Sequence, residues 1–265
     1  MKWTPVGLGT WMMDRDPKAA IAALRAGIDA GANHIDTAEM YGDGRVEEVV
    51  GQALQGLRSK IFLVSKVLPS HADYKGAIEA CHRSLKRLQT DHLDAFLLHW
   101  REKKTSIAET FRAFEQLKSE GKIRSWGVSN FDVDDMEEAI RLAGEGKIAC
   151  NQVLYHIKER SIESKLLPWC RSHHVPVVAY SPLGQGRLPQ APALDEVAHR
   201  HGASPVQIIL AYLTRDPFVF AIPKSSDEKH TRSNIQSMNI TLFEDDIQKI
   251  NKAFPLKGRR HLPMI

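Results

Sequence analysis

Four side chains that could share acid–base chemistry stand after successive apolar runs in this sequence. Ile35-Asp36-Thr37-Ala38-Glu39-Met40-Tyr41-Gly42 places an acid and a phenol at the end of one run, and the Gly/Asp-rich turn that follows exposes both. Lys66 ends Ile61-Phe62-Leu63-Val64-Ser65-Lys66, and His99 ends Leu93-Asp94-Ala95-Phe96-Leu97-Leu98-His99 ahead of Trp100. A phenol close to an ammonium and an imidazole can serve as a proton donor near neutral pH. For that to happen, residues far apart in sequence must be carried to one place.

The elements between them supply the means. Strand-like runs fall at Val6–Gly9, His34–Ala38, Ile61–Lys66, Leu93–His99, Ile123–Ser129, Ala149–Tyr155, Val175–Ser181 and Val219–Lys224. Amphipathic helical stretches begin near Pro17, Arg45, Asp73, Ser106, Asp132, Ser164, Ala193 and Glu244. Asp16 before Pro17 and Ser106 before Glu109 carry N-cap chemistry, while Gly31 and Gly121 mark helix ends. Strand and helix in alternation imply parallel pairing, and eight such units fit a (β/α)8 TIM barrel of class α/β, one domain over residues 1–265. In such a barrel the carboxyl ends of all strands converge on one pocket. The full G-x-G-x-x-G fingerprint of an open dinucleotide-binding sheet is missing, as is the phosphate-loop G-x-x-x-x-G-K.

Composition narrows the class further. Hydrophobic residues make up 43% and charged residues 26% of the chain, ordinary values for a soluble protein. The formal net charge is +4, but acids and bases interleave along the helical stretches, which reads as a solvated surface and not as a nucleic-acid face. The tightest basic cluster, Lys257-Gly258-Arg259-Arg260-His261, reads as a tail. Cys81, Cys150 and Cys170 are far apart and odd in number, as expected of reduced, buried thiols. No apolar run approaches membrane-spanning length and the first residues lack a signal-like apolar core, so the expectation is a cytoplasmic protein with no membrane partner.

The chain resembles an aldo-keto reductase nearly end to end. The resemblance is carried by Gly7-Leu8-Gly9-Thr10-Trp11, Asp36-Thr37-Ala38-Glu39-Met40-Tyr41-Gly42, Ser65-Lys66, Leu98-His99-Trp100 and Gly127-Val128-Ser129-Asn130-Phe131. It continues through Asn151-Gln152-Val153, Ala179-Tyr180-Ser181-Pro182-Leu183-Gly184 and Ile222-Pro223-Lys224-Ser225. It implies an NADPH-dependent carbonyl reductase, with NADH as a second coenzyme, acting on small or aromatic aldehydes and dicarbonyls as a monomer. By that resemblance Tyr41 is the general acid. Lys66 lowers the phenol pKa from its usual value of roughly 10. Asp36 pairs with Lys66, and His99 orients the carbonyl oxygen. Ser129, Asn130 and Gln152 are expected to hold the nicotinamide carboxamide, and Tyr180 to stack under the ring. Ser181 and Leu183 are expected along the pyrophosphate, Lys224 and Ser225 at the 2′-phosphate, and Asn234 near the adenine.

Two departures from the family pattern bear on coenzyme choice. His230 stands where many members carry an arginine, and Ser233 where an acid often meets the adenine. Imidazole is a weaker phosphate partner than a guanidinium fork, so the expectation is NADPH preferred over NADH by a moderate margin. Trp11, Trp100, Tyr41 and His99 are expected to wall the substrate pocket, with Leu68 and Phe131 beside them and Trp126 in the core. The short segment from Trp100 to Ser106 and the short tail after Phe254 suggest an open pocket. Two other readings compete. One is a nucleotide-binding regulatory subunit on the same fold. The other is a metal-dependent hydrolase, for which the twelve histidines offer neither H-x-H nor H-E-x-x-H, so no metal is expected.

Overall fold

The computed structural model describes residues 3–102, 104–256 and 262–264; the basic cluster at Lys257 to His261 lies outside the described residues. Eight strands pair in parallel in sequence order. They are β1 (Leu8–Gly9), β2 (His34–Asp36), β3 (Phe62–Val67), β4 (Leu93–Leu98), β5 (Ile123–Ser129), β6 (Ile148–Leu154), β7 (Val177–Tyr180) and β8 (Val219–Ala221). Val6 and Gly9 bridge to Ala221 and Lys224, and the Gly7 N–H donates to the Ala221 carbonyl at 2.8 Å. The sheet therefore closes on itself as a (β/α)8 barrel. Glycine at position 9 permits that seam, because a Cβ there would stand 2.5 Å from the Ile222 carbonyl oxygen.

Parallel strands covered on both faces should read as near-continuous apolar runs, and all six residues of β4 are buried. Val64, Ala95, Leu97, Cys150, Val178 and Ile222 pack inside the barrel. The larger core lies between the strands and the surrounding helices, where Phe96, Phe114 and Trp126 meet. Trp126 is fully buried, as expected.

Ten helices cover the outside among the described residues: α1 (Pro17–Asp29), α2 (Arg45–Ala53), α3 (Tyr74–Leu88), α4 (Ile107–Ser119), α5 (Val133–Ala143), α6 (Leu166–Ser172), α7 (Pro192–Arg200), α8 (Pro205–Leu213), α9 (Glu228–Gln236) and α10 (Glu244–Ala253). Asp16 caps α1 as expected, accepting from Ala19 N–H. Ser106 precedes α4, but its side chain makes no capping bond. Two helices, α8 and α9, were not anticipated. A capping box between Ser204 and Gln207 starts α8, and the Asp227 carboxylate accepts the His230 N–H to start α9. No helix among the described residues is long and apolar enough to cross a membrane.

The turn that presents Tyr41 is strained into place. Gly42, Asp43 and Gly44 all have positive φ. Gly44, at φ 90°, faces Arg87, whose Cδ would lie 2.6 Å from an added Cβ. Arg87 cannot swing aside freely, since its Nε donates at 2.6 Å to the buried Glu47 carboxylate. Gly44→Ala should therefore destabilise the fold by about 2–3 kcal/mol, measured by urea unfolding. A loss near zero would mean that the turn re-forms around a side chain.

Candidate active site

The carboxyl ends of β2, β3 and β4 bring Asp36, Lys66 and His99 together, and the turn after β2 adds Tyr41. Lys66 is wholly buried. Its Nζ donates to Asp36 Oδ1 at 2.5 Å, to the Thr37 carbonyl at 2.8 Å and to the Tyr41 hydroxyl at 3.4 Å. The Tyr41 and His99 rings meet edge to face at 5.9 Å, and Trp100 lies against His99 at 5.0 Å. All four predicted catalytic side chains thus share one locus at the barrel mouth.

Their electrostatics differ from the simplest expectation. Burial raises the Tyr41 pKa above its ordinary value; the Lys66 charge works against that rise without reversing it. The predicted lowering by Lys66 is therefore present as a contribution, but the net direction is upward. For Lys66 itself burial pulls downward, and the charges of Asp36 and Tyr41 more than offset it, so its pKa is raised. Burial, with the Lys66 charge, holds His99 down at about 2. His99 is a neutral imidazole at physiological pH, suited to hydrogen bonding and not to proton donation as an imidazolium. Its buried Nδ1 has no hydrogen-bond partner among the described residues.

A polar network joins this group to the residues expected to hold a coenzyme. Gln152 Nε2 donates to Asp36 Oδ2 at 2.7 Å. The Gln152 carbonyl accepts from Ser129 Oγ at 2.8 Å and from the Asn130 N–H at 2.9 Å. Asn130, at φ 61°, sends its amide to the His99 carbonyl at 3.1 Å and accepts from the Tyr180 hydroxyl at 2.9 Å. Gln152 thus has a contact that sequence reasoning missed: it occupies the second oxygen of the carboxylate that fixes Lys66.

Further round the mouth, Tyr180, Ser181 and Leu183 are half-buried at the end of β7, with Ser181 at φ 48°. Lys224 is exposed, and its pKa is lowered by partial burial and by the charge of Arg15. Neither of those two cations is paired with a carboxylate among the described residues. Two cations near enough for one to depress the pKa of the other, with no carboxylate paired to either among the described residues, could hold a phosphate. Arg15, in the loop after β1, was not anticipated. Ser225 is committed to the turn before α9, where its Oγ accepts the Asp227 N–H at 3.1 Å. His230 is exposed with its ring 3.5 Å from Asp227, and Arg232 reaches Asp29 at 3.8 Å instead of turning to Lys224. Asn234 is buried on α9.

A cleft of about 440 Å³ lined by Trp100, Arg101, Asn130, Asp135, Leu262 and Met264 contains no member of the tetrad, and of the four expected wall residues only Trp100, but it adjoins His99 through Trp100 and Asn130. Arg101 is neutralised by Asp135 and Glu138, each at 2.7 Å. The short tail was expected to leave this pocket open; instead Leu262 and Met264 supply part of its wall. Trp11 is exposed at the rim and Leu68 is half-buried. Phe131, expected beside the pocket, is fully buried in the core, where Asn151 bonds its backbone carbonyl at 2.8 Å. A cleft of about 480 Å³ lined by Leu167, Arg171, Arg215 and Phe218 includes none of the tetrad.

Comparison with known proteins points the same way as the geometry. The model of the Aldo/keto reductase family matches residues 5–254. Methylglyoxal reductase YeaE of Escherichia coli strain K12 is 48% identical over 98% of this chain and 94% of its own length. Glyoxal reductase of Bacillus subtilis strain 168 is 35% identical over 95% of this chain and 88% of its own. The crystal structure of an aldo/keto reductase from Klebsiella pneumoniae in complex with NADP and acetate superposes with a TM-score of 0.95, at 46% identity, over 98% of this chain and 95% of that one.

Proposed function

This chain belongs to the aldo/keto reductase family, and from that premise we propose that it reduces small aldehydes and dicarbonyls, methylglyoxal among them, with NADPH as the reductant. The observation that carries the reading is the contact of the Tyr41 hydroxyl with the Lys66 ammonium, which Asp36 holds beneath it. Similarity to a methylglyoxal reductase and a glyoxal reductase supports the substrate class. So does a cleft with apolar walls at Trp100, Leu262 and Met264 and a few polar groups.

The residues divide the work as follows. Ser129, Asn130, Gln152 and Tyr180 would hold the nicotinamide end of the coenzyme, Ser181 and Leu183 its middle, and Lys224, with Arg15, its phosphate. Bound NADPH supplies a hydride to the carbonyl carbon. Tyr41 donates its phenolic proton to the carbonyl oxygen. Lys66 stabilises the phenolate as that proton leaves, and Asp36 with the Thr37 carbonyl keeps the ammonium where the charge develops. His99, neutral, hydrogen-bonds the same oxygen and orients it. Trp100 and the tail residues exclude water from one side of the cleft.

A panel of carbonyl compounds, followed by loss of NADPH absorbance and run beside NADH, tests the reading. Methylglyoxal and small aromatic aldehydes should turn over ahead of steroids, and NADPH should win over NADH by a moderate factor. Lys224→Ala should lower kcat/KM for NADPH by roughly 10- to 100-fold, as expected for one charged hydrogen bond, and leave NADH nearly unaffected. A wild-type ratio near one, or a Lys224→Ala variant with undiminished NADPH preference, would remove Lys224 from the phosphate.

A further inference from the structure

Glu39 lies between two members of the tetrad in sequence and grips a third in space. Its backbone N–H donates to the Lys66 carbonyl at 3.3 Å. Its carboxylate Oε1 accepts the Leu68 N–H at 2.9 Å and lies 3.0 Å from His71 Nδ1. The residue is thus fastened twice to the end of β3, through the carbonyl of Lys66 and through the amide two residues on. Glu39 is only 7% exposed, so water competes poorly for those bonds.

Tyr41 follows two residues later, in a tight turn closed by its own N–H on the Ala38 carbonyl at 3.1 Å. Little slack separates the grip from the phenol. The Tyr41–Lys66 contact, at 3.4 Å, is near the long limit for a hydrogen bond, so a small outward movement of residue 39 would break it.

We propose that Glu39 is a positioning residue which, by clasping the Leu68 amide, sets the approach of the Tyr41 hydroxyl to the Lys66 ammonium. The inference rests on the functional reading above. The clasp needs an acceptor at Oε1 and not a charge. The second oxygen has only a looser ion pair with Arg83, at 3.6 Å and 44% exposed on the arginine side, and His71 is 43% exposed. A glutamine carbonyl can replace the acceptor.

Glu39→Ala should lower kcat with methylglyoxal and NADPH by roughly 10- to 100-fold, the scale of a misplaced catalytic group. KM and the NADPH dissociation constant should stay within about twofold, since only transition-state stabilisation is lost. Glu39→Gln should restore most of kcat. Leu68→Pro removes the donor instead of the acceptor; the backbone at Leu68, φ −67° and ψ 145°, already suits proline, and its kcat should fall with that of Glu39→Ala. Wild-type kcat in Glu39→Ala, or a Glu39→Gln variant as impaired as Glu39→Ala, would overturn the proposal. Crystals of Glu39→Ala and the wild type give a readout without turnover. The Tyr41–Lys66 separation should lengthen in the variant, and an unchanged separation would also overturn the proposal. That comparison stands even if the wild-type chain reduces no carbonyl, a result that would sink the functional reading alone.

Discussion

Tyr41→Phe should bind NADPH as the wild type does and lose carbonyl reduction by roughly three orders of magnitude, within the 10²–10⁴ range of general acid catalysis. The reason is a shortage of other donors. His99 is held near 2 and remains neutral. The Lys66 ammonium already serves Asp36 and the Thr37 carbonyl as well as the phenol. The phenolic O–H is what remains to protonate an alkoxide. Removing it takes one hydrogen bond from the fold, so unfolding stability should change by only about 1 kcal/mol. The same assignment fixes the sign of the pH dependence. An acid works while protonated, and Tyr41 is shifted upward by burial. The chemical step should therefore be flat through neutrality and fall only on the alkaline side, above roughly pH 10. No limb near 6.5 is expected from His99. Single-turnover rates across pH would check both points, and near-wild-type turnover in Tyr41→Phe would end the acid assignment.

The parts of this site that were legible in the sequence are those written locally. A strand-like run that stops at Lys66 or His99, or carries Asp36 near its end, announces both the element and the residue at its mouth, and alternation of strand with helix sends all three to one end of a barrel. What was illegible depends on burial or on long separation. Gln152 meets Asp36 across 116 residues, and nothing near either residue signals the contact. The Glu39 grip on Leu68 joins two loops whose proximity follows only from the register of β2 on β3. The upward shift of Tyr41 needs its desolvation, which neighbours in sequence do not reveal. The helix α8 was missed because it is apolar nearly all round, with every residue from Ile208 to Leu213 buried, so it lacks the one-sided period that marks a surface helix. The helix α9 fails in the opposite way, being polar along most of its length. Their caps, Ser204 with Gln207 and Asp227, were the signals available.

Lys66→Met should be both inactive and markedly unstable, and the two losses can be separated. Methionine matches the lysine stem in length, so little packing is lost. The ammonium, however, is fully buried against a carboxylate that is itself 1% exposed. Removing one partner strands the other charge, which typically costs about 3–5 kcal/mol. The wild-type pair behaves accordingly with pH. Because the folded Lys66 pKa is raised, its contribution to stability is complete below the unfolded value of roughly 10.4 and is lost as pH rises through the folded one. In Asp36→Asn/Lys66→Met neither charge remains, and Gln152 can still bond the amide that replaces the carboxylate. Urea unfolding should then show the double variant recovering at least half of the stability lost by Lys66→Met, a coupling expected of contacting residues. Activity should not recover with it, since the phenol still lacks the cation that stabilises its conjugate base. If Lys66→Met were as stable as the wild type, the Asp36–Lys66 pair would not be the charged clamp that this mechanism requires. If the double variant regained turnover along with stability, the role of Lys66 would be structural only.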